Sequence, residues 1–492
     1  MSGNEACGAF DMLIVGGGIN GAGIARDAAG RGLSVLLVEQ DDLAGHTSSA
    51  STKLIHGGLR YLEYGEFRLV RESLIERERL WGMAPHIIWP LRFVLPQTQS
   101  PRPAWTVRLG LFLYDHMGGR KRLPATETVA LEGSSLGEGL ADRSGRGFVY
   151  SDCWVEDSRL VVLNAMDAAA RGARILTRTR LESATREGGE WRARIADATG
   201  KRDVRARILV NAAGPWVSDV IGRAGLSSGR AVRLVKGSHI VVPRLYAGDH
   251  AFMLQNPDRR IVFAIPYEGH FTLIGTTDQP WEAAPAKTGI SEPEARYLIE
   301  TANRYFARKI GPDEIIWSYA GIRPLHDDKA ASAAAATRDY VLDLDNDGPP
   351  LLSLFGGKIT TYRRLAEHAL NLLGVPGAWT AGAVLPGGDL GEDFGDFADR
   401  LIALRPDLPA ALLRRLARAY GTRALVLLGD ARNMADLGEL FGGDLSRAEV
   451  DYLVANEWAR TAEDMLYRRS KLGLHLPAEA AERIDRYLQV TN

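Results

Sequence analysis

Cysteine is scarce in this chain, which has only Cys7 and Cys153 among its 492 residues. Cys7 lies in an N-terminal tail that we expect to be loose. A structural disulfide between the two is therefore disfavoured, and a reducing, cytoplasmic compartment fits better. The sequence contains no C-x-x-C pair, which argues against iron–sulfur clusters and structural zinc sites. We therefore predict no metal.

An excess of charge of either sign is also missing. Lysine and arginine number 60 against 61 aspartates and glutamates, which leaves a net charge of -1. A chain with this balance has no general basic field to attract nucleic acid. Any site for an anion must therefore be built locally, from a few cationic side chains.

Long apolar runs are absent as well. No stretch approaches the ~20 apolar residues that a transmembrane helix needs. The first residues, MSGNEACGAFDMLIVGGG, lack the basic region followed by a long apolar region that is typical of a secretory signal. The length is too great for one core, and a prior of about 150 residues per domain predicts roughly three domains.

A strand, a glycine-rich turn, a helix and a second strand open the chain, as in a parallel βαβ unit. Gly16, Gly18 and Gly21 fit the G-x-G-x-x-G pattern, in which the glycines allow a tight turn and close approach of a pyrophosphate to a helix N-terminus. Glu39 follows Gly21 by 18 residues, near the ~20 expected for the acid that binds a ribose hydroxyl. The pattern predicts a dinucleotide site but does not separate FAD from NAD.

A polar loop, HTSSASTKLIHGGLRYL, follows this unit and favours a flavin. Thr47, Ser48 and Ser49 offer hydroxyls to phosphate or to the edge of a ring. Gly57 and Gly58 allow the backbone to lie against a flat ring without an obstructing side chain. A large bound ring is the simplest reason for this chemistry so close to the pyrophosphate, and a nicotinamide dehydrogenase would leave the loop without a purpose.

Further motifs follow along the chain: YSDCWVEDSRLV, NAAGPWV, KGSHIVVP, IGTTD, GIRPL, TRDY, LFGGKITTYRRLAEHAL and VLPGG. With the opening segment, they closely resemble the FAD-dependent glycerol-3-phosphate dehydrogenases, in the order of that family and over nearly the whole chain. The resemblance implies FAD as cofactor. The cofactor contacts that we predict from these motifs are Gly16, Gly18, Gly21, Glu39, Thr47, Ser48, Ser49, Lys53, Gly57, Gly58, Ala213, Gly214, Gly357, Lys358 and Thr360.

The expected fold class is α/β, with a Rossmann-like FAD-binding domain, an antiparallel-sheet substrate domain and a C-terminal helical domain. We place a discontinuous FAD-binding domain at 1–95, 150–230 and 335–385, an insertion at 96–149, the substrate domain at 231–334 and the helical domain at 386–492. Ser291 and Glu294 have capping-box spacing before an amphipathic helix. The helical domain shows no motif with its own chemistry, and it could brace the flavin domain or form the contact of a homodimer.

The resemblance also implies a substrate site for a phosphorylated alcohol. Its predicted lining is Arg60, Tyr61, Thr276, Arg323, Arg338 and Lys358. Arginine presents a planar fork that suits phosphate, although each of these cations taken alone could equally be a surface charge. The implied reaction oxidises sn-glycerol 3-phosphate to dihydroxyacetone phosphate, with the C2 hydride passing to flavin N5. His56, His239 and Lys358 are the candidates for the base, and Arg323 is expected to orient the substrate or stabilise a developing alkoxide.

The electron acceptor is expected to be a membrane quinone. In the related oxidases a long insertion separates the GIRP strand from the GGK turn, whereas the interval from Leu325 to Gly356 is short here. The segment AWTVRLGLFLYDHMGG is apolar nearly all round a helix and is flanked by basic residues, which suits a helix lying on an anionic lipid surface. A helix buried between domains would read the same way. We expect a protein bound peripherally to the cytoplasmic face of the inner membrane.

Two other functions remain open at this stage. The first is an oxidase that passes the electrons to oxygen and releases peroxide. The second is a non-catalytic FAD-binding module, against which the retained Arg323, Arg338 and Lys358 weigh.

Overall fold

The computed structural model describes residues 8–285, 288–327, 339–391 and 393–491. Its strands are β1 (Ala9–Val15), β2 (Val35–Val38), β3 (Leu54–Ile55), β4 (Ile88–Pro96), β5 (Glu127–Ala130), β6 (Arg146–Val155), β7 (Arg174–Leu176), β8 (Arg180–Glu187), β9 (Glu190–Asp197), β10 (Gly200–Asn211), β11 (Val232–Pro243), β12 (Ala251–Gln255), β13 (Ile261–Tyr267), β14 (Phe271–Gly275), β15 (Gln279–Pro280), β16 (Trp317–His326), β17 (Val341–Asp345), β18 (Leu351–Phe355), β19 (Leu440–Gly442) and β20 (Leu445–Ser446). Its α-helices are α1 (Ile19–Gly30), α2 (Phe67–Met83), α3 (Ala104–Met117), α4 (Asp157–Ala170), α5 (Val217–Arg223), α6 (Glu292–Tyr305), α7 (Tyr362–Leu372), α8 (Phe394–Leu404), α9 (Ala410–Tyr420), α10 (Ala424–Leu428), α11 (Arg447–Glu457) and α12 (Ala478–Thr491).

The first sheet is built on parallel strands in the order β17-β18-β10-β1-β2-β7, with β17 antiparallel at the edge and β8 and β9 attached through β10. Its parallel strands β18, β10, β1 and β2 all end at the same edge of the sheet. The loops that follow them therefore meet, although they come from residues 16, 39, 212 and 356 of the sequence. In open parallel sheets this edge is where ligands bind.

Small residues allow α1 to lie deep against the first sheet, between α4 and α7. A Cβ atom added to Gly23 would come within 2.7 Å of the Tyr362 ring. One added to Gly30 would overlap the Trp379 ring at 2.1 Å. The glycines and alanines of this helix therefore serve close packing, which explains why it shows no polar stripe.

The larger sheet has the strand order β15-β11-β14-β13-β12-β4-β6-β3, with β16 paired to β11 and β5 to β6. A hairpin turn at 268–270 joins β13 to β14. The predicted capping box is also present, with Ser291 before α6 and Glu294 in its first turn. β4 and β6 pair with each other, so residues 88–96 and 146–155 belong to this larger sheet.

Helix α3, for which the sequence left open a membrane-surface helix and a helix buried between domains, has one buried and one exposed face. Val107, Leu111 and Tyr114 are buried against the larger sheet. Trp105, Leu109 and Phe112 are exposed, and Trp105 keeps 71% of its surface. Among the described residues, no helix has the combination of length and apolar character needed to span a bilayer.

The C-terminal domain contains α8 to α12 around its own core and a short β19–β20 hairpin that the sequence does not predict. It braces the FAD-binding domain through buried ion pairs. Asp42, in the loop after β2, accepts hydrogen bonds of 2.7 Å from both Arg468 and Arg469. Arg159 of α4 pairs with Glu457 of α11. Removing one partner of such a buried pair typically costs about 3–5 kcal/mol, so the domain is part of the same folded unit.

Candidate active site

A cavity of about 390 Å³ lies between the carboxyl edge of the first sheet and the larger sheet. The ends of β1, β2, β10 and β18 form one side of it. Tyr150, Met253 and Phe263, from the larger sheet, form part of the other. The sequence motifs quoted above converge on this one space because the parallel strands that carry them end together.

The glycine fingerprint lies at one end of the cavity, which Gly16 and Gly18 line. Gly16 has φ of +114°, and a Cβ there would come within 2.5 Å of the carbonyl oxygen of Ala212, so no other residue fits. Gly21 does not line the cavity; a Cβ on it would lie 1.9 Å from the Gly16 carbonyl oxygen. It therefore serves close packing of helix and strand, which is the role that the third glycine has in this pattern.

The N-terminus of α1 opens into the same end. Its cap, Gly18, has no side chain, and the first turn carries no acidic residue. Ser48 is close by, and its Oγ accepts a hydrogen bond of 3.0 Å from the backbone N–H of Ile19. Free N–H groups and a positive helix dipole make this a site for a pyrophosphate. Arg180 and Arg223 line the cavity as well and add positive charge.

Glu39 lines the cavity at the end of β2, where a ribose is expected. Its carboxylate accepts hydrogen bonds from the backbone N–H groups of Gly17 at 2.6 Å and Asp41 at 2.8 Å. Burial raises the pKa of Glu39, and the two amide donors oppose that shift. The side chain is thus held in one orientation, with its remaining lone pairs available to a ribose hydroxyl.

The residues of the polar loop after Glu39 do not all line the same cavity. Thr47, Ser48 and Gly58 line the cavity, whereas Ser49 lines a neighbouring cleft and Gly57 lies behind the wall. The Gly57 backbone N–H donates to the Tyr114 hydroxyl at 2.7 Å, so α3 supports this loop from behind. On the other side of the cavity, Ala213, Gly214, Gly357, Lys358 and Thr360 all line it, as the motifs predict.

Lys53 does not reach the cavity. Its ammonium is buried, 2.9 Å from Asp157 of α4, and it also donates to the backbone carbonyl of Ser49 at 3.1 Å. Lys53 itself has φ of +59°, which a residue with a side chain seldom adopts. The buried ion pair therefore holds the turn of the loop, and we assign Lys53 to positioning instead of cofactor contact.

Cationic side chains and their partners form another part of the cavity lining. Arg323 pairs with Asp278 and donates to Thr276 Oγ1 at 2.8 Å. The Lys358 ammonium lies 4.0 Å from the centre of the Tyr61 ring. All five side chains line the cavity, as does Arg60. Arg338 lies outside the described residues.

Arg60 lines the cavity and is held only loosely by its neighbours. Its Nη2 donates weakly to the Tyr64 hydroxyl at 3.4 Å. Its Nε is shielded from solvent and has no hydrogen-bond partner within the part of the chain that the structure describes. A buried donor of this kind costs stability unless a ligand satisfies it, so the guanidinium is positioned for an anion.

The two predicted histidines lie in different places. His56 lines the cavity, and burial together with the positive charges of Lys358 and Arg77 lowers its pKa to about 4. His239 is buried outside the cavity wall, where its ring stacks on Tyr319 at 4.7 Å and its Nε2 lies 3.0 Å from Thr52 Oγ1. Burial lowers the pKa of His239 as well. Both imidazoles are neutral at pH 7, but only His56 faces a ligand.

The residues of this cavity fit FAD. The N-terminus of α1, whose cap residue Gly18 has no side chain, suits the pyrophosphate, and Glu39 is placed for the ribose. Gly357 lines the cavity with φ of +100°, a backbone conformation that favours glycine, so the backbone can lie close to a bound ring there. The orphaned Nε of Arg60 and the neutral imidazole of His56 lie in the same cavity, so an anionic alcohol could be bound and deprotonated there.

Several lining residues were not predicted from the sequence. They include Asn20, Tyr150, Arg180, Trp216, Arg223, Met253, Ile261, Phe263 and Asp278. Tyr150, Met253 and Phe263 read as ordinary core positions in strands, and only the packing of the larger sheet turns them toward the cavity. Asp278 carried a usable signal, because it ends the IGTTD motif.

Comparison with known proteins gives two family matches that together span most of the chain. Residues 11–363 match the family described as FAD dependent oxidoreductase. Residues 378–492 match the C-terminal domain of alpha-glycerophosphate oxidase.

Curated relatives match over nearly the full length of both chains. D-erythritol 1-phosphate dehydrogenase of Brucella abortus is 54% identical, covering 96% of this chain and 95% of the relative. Glycerol-3-phosphate dehydrogenase of Pseudomonas aeruginosa is also 54% identical, covering 98% and 95%. Aerobic glycerol-3-phosphate dehydrogenase of Escherichia coli is 51% identical, covering 97% of each.

Solved structures resemble the fold. Glycerol-3-phosphate dehydrogenase from Bacillus halodurans complexed with FAD has a TM-score of 0.74 and 27% identity, covering 99% of this chain and 95% of that one. L-alpha-glycerophosphate oxidase from Mycoplasma pneumoniae with FAD bound has a TM-score of 0.61 and 18% identity, covering 77% and 99%, and supports the fold alone. The expected fold class is confirmed.

Proposed function

This chain belongs to the FAD-dependent glycerol-3-phosphate dehydrogenase family, and on that premise we propose that it oxidises sn-glycerol 3-phosphate to dihydroxyacetone phosphate. It is an FAD-dependent oxidoreductase. One observation carries the proposal: a phosphate-binding set of cations and a neutral histidine line the same cavity as the dinucleotide fingerprint. When bound, FAD supplies the two-electron acceptor for the hydride that leaves C2.

The protein's own residues bind the substrate, stabilise its charge and accept its proton. Arg60 and Lys358 bind the phosphate, and Arg323, held by Asp278 and Thr276, stabilises negative charge on the substrate oxygen. Arginine stays protonated and therefore cannot be the base. His56 takes the hydroxyl proton, because it is neutral at pH 7 and lies on the cavity wall.

Anaerobic mixing tests this function directly. Adding glycerol 3-phosphate to the FAD-loaded protein without oxygen is expected to bleach the flavin absorbance, whereas glycerol without its phosphate is expected to act far more slowly. A flavin that keeps its colour at saturating glycerol 3-phosphate would exclude this substrate.

D-Erythritol 1-phosphate is the second candidate substrate. The relative named for that compound is as similar to this chain as the glycerol-3-phosphate dehydrogenase of Pseudomonas aeruginosa, at 54% identity over nearly the full length. Both compounds are phosphorylated polyols, so the same cations suit both. Bleaching rates measured for the two compounds side by side would rank them by kcat/KM.

We expect Arg60→Ala to weaken binding of the phosphorylated substrate by roughly ten- to a hundredfold. Hydrogen bonds to a charged group contribute about 1.5–3 kcal/mol, and 1.4 kcal/mol is a factor of ten. The readouts are KM for glycerol 3-phosphate and Kd for dihydroxyacetone phosphate.

Flavin content and the slow oxidation of plain glycerol should not change. Arg60→Lys is the matched control, which keeps the charge and loses the fork; unchanged binding in Arg60→Ala would remove Arg60 from the phosphate site.

The acceptor is a membrane quinone, and the protein binds peripherally to the cytoplasmic face of the inner membrane. The short interval from Leu325 to Gly356 supports this acceptor over oxygen. The exposed face of α3 supports the membrane contact, because Trp105, Leu109 and Phe112 lie on one side of it while Arg108 is exposed on the same helix. Such a helix lies on a bilayer and does not cross it. A stoichiometric assay for peroxide separates this reading from the oxidase.

Replacing Trp105, Leu109 and Phe112 together by serine is expected to lower binding to anionic vesicles by at least about tenfold. Burying one large apolar side chain contributes about 1.5–3 kcal/mol. Reduction of vesicle-borne quinone should fall in parallel, while reduction of a water-soluble dye should survive. High salt should release the unaltered protein only in part, because salt screens the basic residues and not apolar insertion.

The matched control for this variant is the serine triple at Leu404, Leu425 and Val426, which are exposed on the C-terminal domain. It should bind vesicles as the unaltered protein does. Equal loss in both triples, or no loss in the α3 triple, would show that α3 is not the membrane contact.

A further inference from the structure

A chain of buried polar groups lies behind the loop that carries His56. Arg77 of α2 donates a hydrogen bond to Asp152 of β6 at 2.6 Å. The Tyr114 hydroxyl of α3 donates to the same carboxylate, 2.8 and 2.9 Å from its two oxygens, and accepts the backbone N–H of Gly57 at 2.7 Å. The three side chains are at most 3% exposed, so water does not compete for these bonds. Three elements of the fold therefore act together on one peptide group of the loop.

The chemistry of each group fixes its role in this chain. A guanidinium and a backbone N–H only donate hydrogen bonds, whereas a carboxylate only accepts them. The phenol must therefore give its proton to Asp152 and turn a lone pair toward Gly57. Burial raises the pKa of Tyr114 well above its usual range, so the hydroxyl keeps that proton. Asp152 and Arg77 thus orient the hydroxyl, and the hydroxyl fixes the loop.

Tyr114 provides the shorter of two hydrogen bonds that hold the backbone at His56. Gly57 follows His56 directly, so its N–H belongs to a rigid planar unit that begins at the Cα of His56. On the other side, the His56 N–H donates to Thr360 Oγ1 at 3.3 Å, against 2.7 Å at Gly57. Strand β3 ends at Ile55, so no strand pairing holds this part of the loop. The direction of the imidazole therefore depends on these two hydroxyls.

The same contact explains why a glycine stands at position 57, which does not line the cavity. A Cβ there would lie 2.7 Å from the Tyr114 hydroxyl oxygen and 2.5 Å from Leu74 Cδ2. Gly57 thus allows the loop to approach α2 and α3 closely. Its role is to admit the hydroxyl behind the loop, and not to let a ring lie against the backbone.

We propose that Tyr114 is a positioning residue for the oxidation, because its hydroxyl fixes the backbone at His56 and so holds the imidazole where it accepts the substrate's proton. Tyr114 itself is not part of the cavity lining. The inference rests on the proposed function, in which His56 is the base. A misplacement of about 1 Å can cost on the order of 10²-fold in rate, so the loss of this hydroxyl should appear in the chemical step.

The test is Tyr114→Phe, which removes one oxygen atom and keeps the ring. Tyr420→Phe is the matched control, because Tyr420 donates at 2.8 Å to Glu449, which also pairs with Arg415, but this group lies in the C-terminal domain. Both variants should lose thermal stability to a similar extent. Anaerobic bleaching at saturating glycerol 3-phosphate, measured per bound flavin, should be at least about tenfold slower in Tyr114→Phe and normal in Tyr420→Phe. The Kd for dihydroxyacetone phosphate should change less than this rate.

A merely structural role would lower stability and yield without changing the bleaching rate, since only folded, FAD-loaded molecules contribute to it. Gly57→Ala disturbs the same contact from the side of the loop and should slow bleaching as well. It keeps the test available if Tyr114→Phe does not fold.

Chemical labelling of His56 supplies a readout that needs no substrate. Diethyl pyrocarbonate modifies neutral, accessible imidazoles, and mass spectrometry of the peptide that contains His56 gives the rate of modification. With the loop released, His56 should react several times faster in Tyr114→Phe than in the unaltered protein. In Tyr420→Phe it should react at the normal rate.

The two readouts separate failure of this inference from failure of the proposed function. If glycerol 3-phosphate bleaches the unaltered protein, the inference is overturned when Tyr114→Phe matches Tyr420→Phe in either the bleaching rate or the labelling rate. If glycerol 3-phosphate does not bleach the unaltered protein, the proposed substrate is wrong. The labelling rate by itself then decides whether Tyr114 holds His56.

Discussion

Gly18→Val is expected to give a folded protein without flavin. Gly18 lines the cavity at the N-terminus of α1, and its φ of -81° and ψ of -175° are open to any residue. The backbone therefore tolerates valine, and the damage falls on the ligand. A Cβ at this position lies 3.1 Å from Ser48 Oγ, and the two methyl groups extend the side chain where the pyrophosphate approaches the backbone.

The expected loss of affinity for FAD is a hundredfold or more. Forcing extra methyl groups into a filled space typically costs about 1–3 kcal/mol, which is roughly ten- to a hundredfold. The displaced pyrophosphate also loses its hydrogen bonds to the helix N-terminus. The measurement is the ratio of absorbance at 450 nm to 280 nm after purification, followed by titration with added FAD.

Gly222→Val is the matched control, since the same change is made at an exposed glycine of α5 where an added Cβ has no neighbour within 4 Å. It should purify with normal flavin. A fully yellow and active Gly18→Val protein would refute the assignment of the fingerprint to FAD.

His56→Asn is expected to slow flavin bleaching by a factor of about 10²–10⁴, the range that general bases contribute. Asparagine cannot accept the substrate's hydroxyl proton. Flavin content should not change, because His56 is not part of the glycine fingerprint or of the ribose contact and lies near Lys358. His239→Asn is the comparison: His239 lies behind the wall, so its loss should lower thermal stability more than it lowers the rate.

The pH dependence follows from the sign of the shift. The pKa of His56 is lowered to about 4, so the imidazole is neutral above about pH 5 and accepts a proton there. As the pH falls through 4, the ring becomes protonated and the rate falls with it. Between pH 6 and 8 we therefore expect a bleaching rate without an inflection from His56. Two results together would contradict this assignment: a bleaching rate that rises steadily toward alkaline pH, and a His56→Asn variant that remains fast. They would mean that the base must lose a proton before it can act, and Lys358 would then be the candidate base.

The glycine fingerprint and the order of the motifs could be identified from the sequence because they depend on residues that are close together in the chain. Gly16 needs a backbone conformation that only glycine adopts freely, and Glu39 follows at the spacing of one helix and one strand. The capping box at Ser291 and Glu294 is local in the same way. Fold class, cofactor and enzyme family were therefore predicted correctly from the sequence.

The roles of Lys53, Ser49 and His239 could not be predicted locally. Each lies in a polar motif next to a glycine or at the end of a strand, so the sequence favours a contact with the cofactor or the substrate for each of them. Lys53 turned inward because Asp157, 104 residues later, offers it a buried carboxylate. His239 lies behind the wall because the pairing of β11 with β14 and β16 places it against Tyr319. Such choices depend on partners that are distant in the sequence.

The sequence by itself determined the dinucleotide turn, the family and the set of cations available for a phosphate. The tertiary structure decided which of those side chains share a cavity, which face of α3 is exposed and which buried hydroxyl fixes the loop at His56. The physical reason is the separation in sequence between interacting residues. Turns and helix caps depend on neighbours within a few residues, whereas the cavity is formed only when the carboxyl ends of β1, β2, β10 and β18 meet the larger sheet.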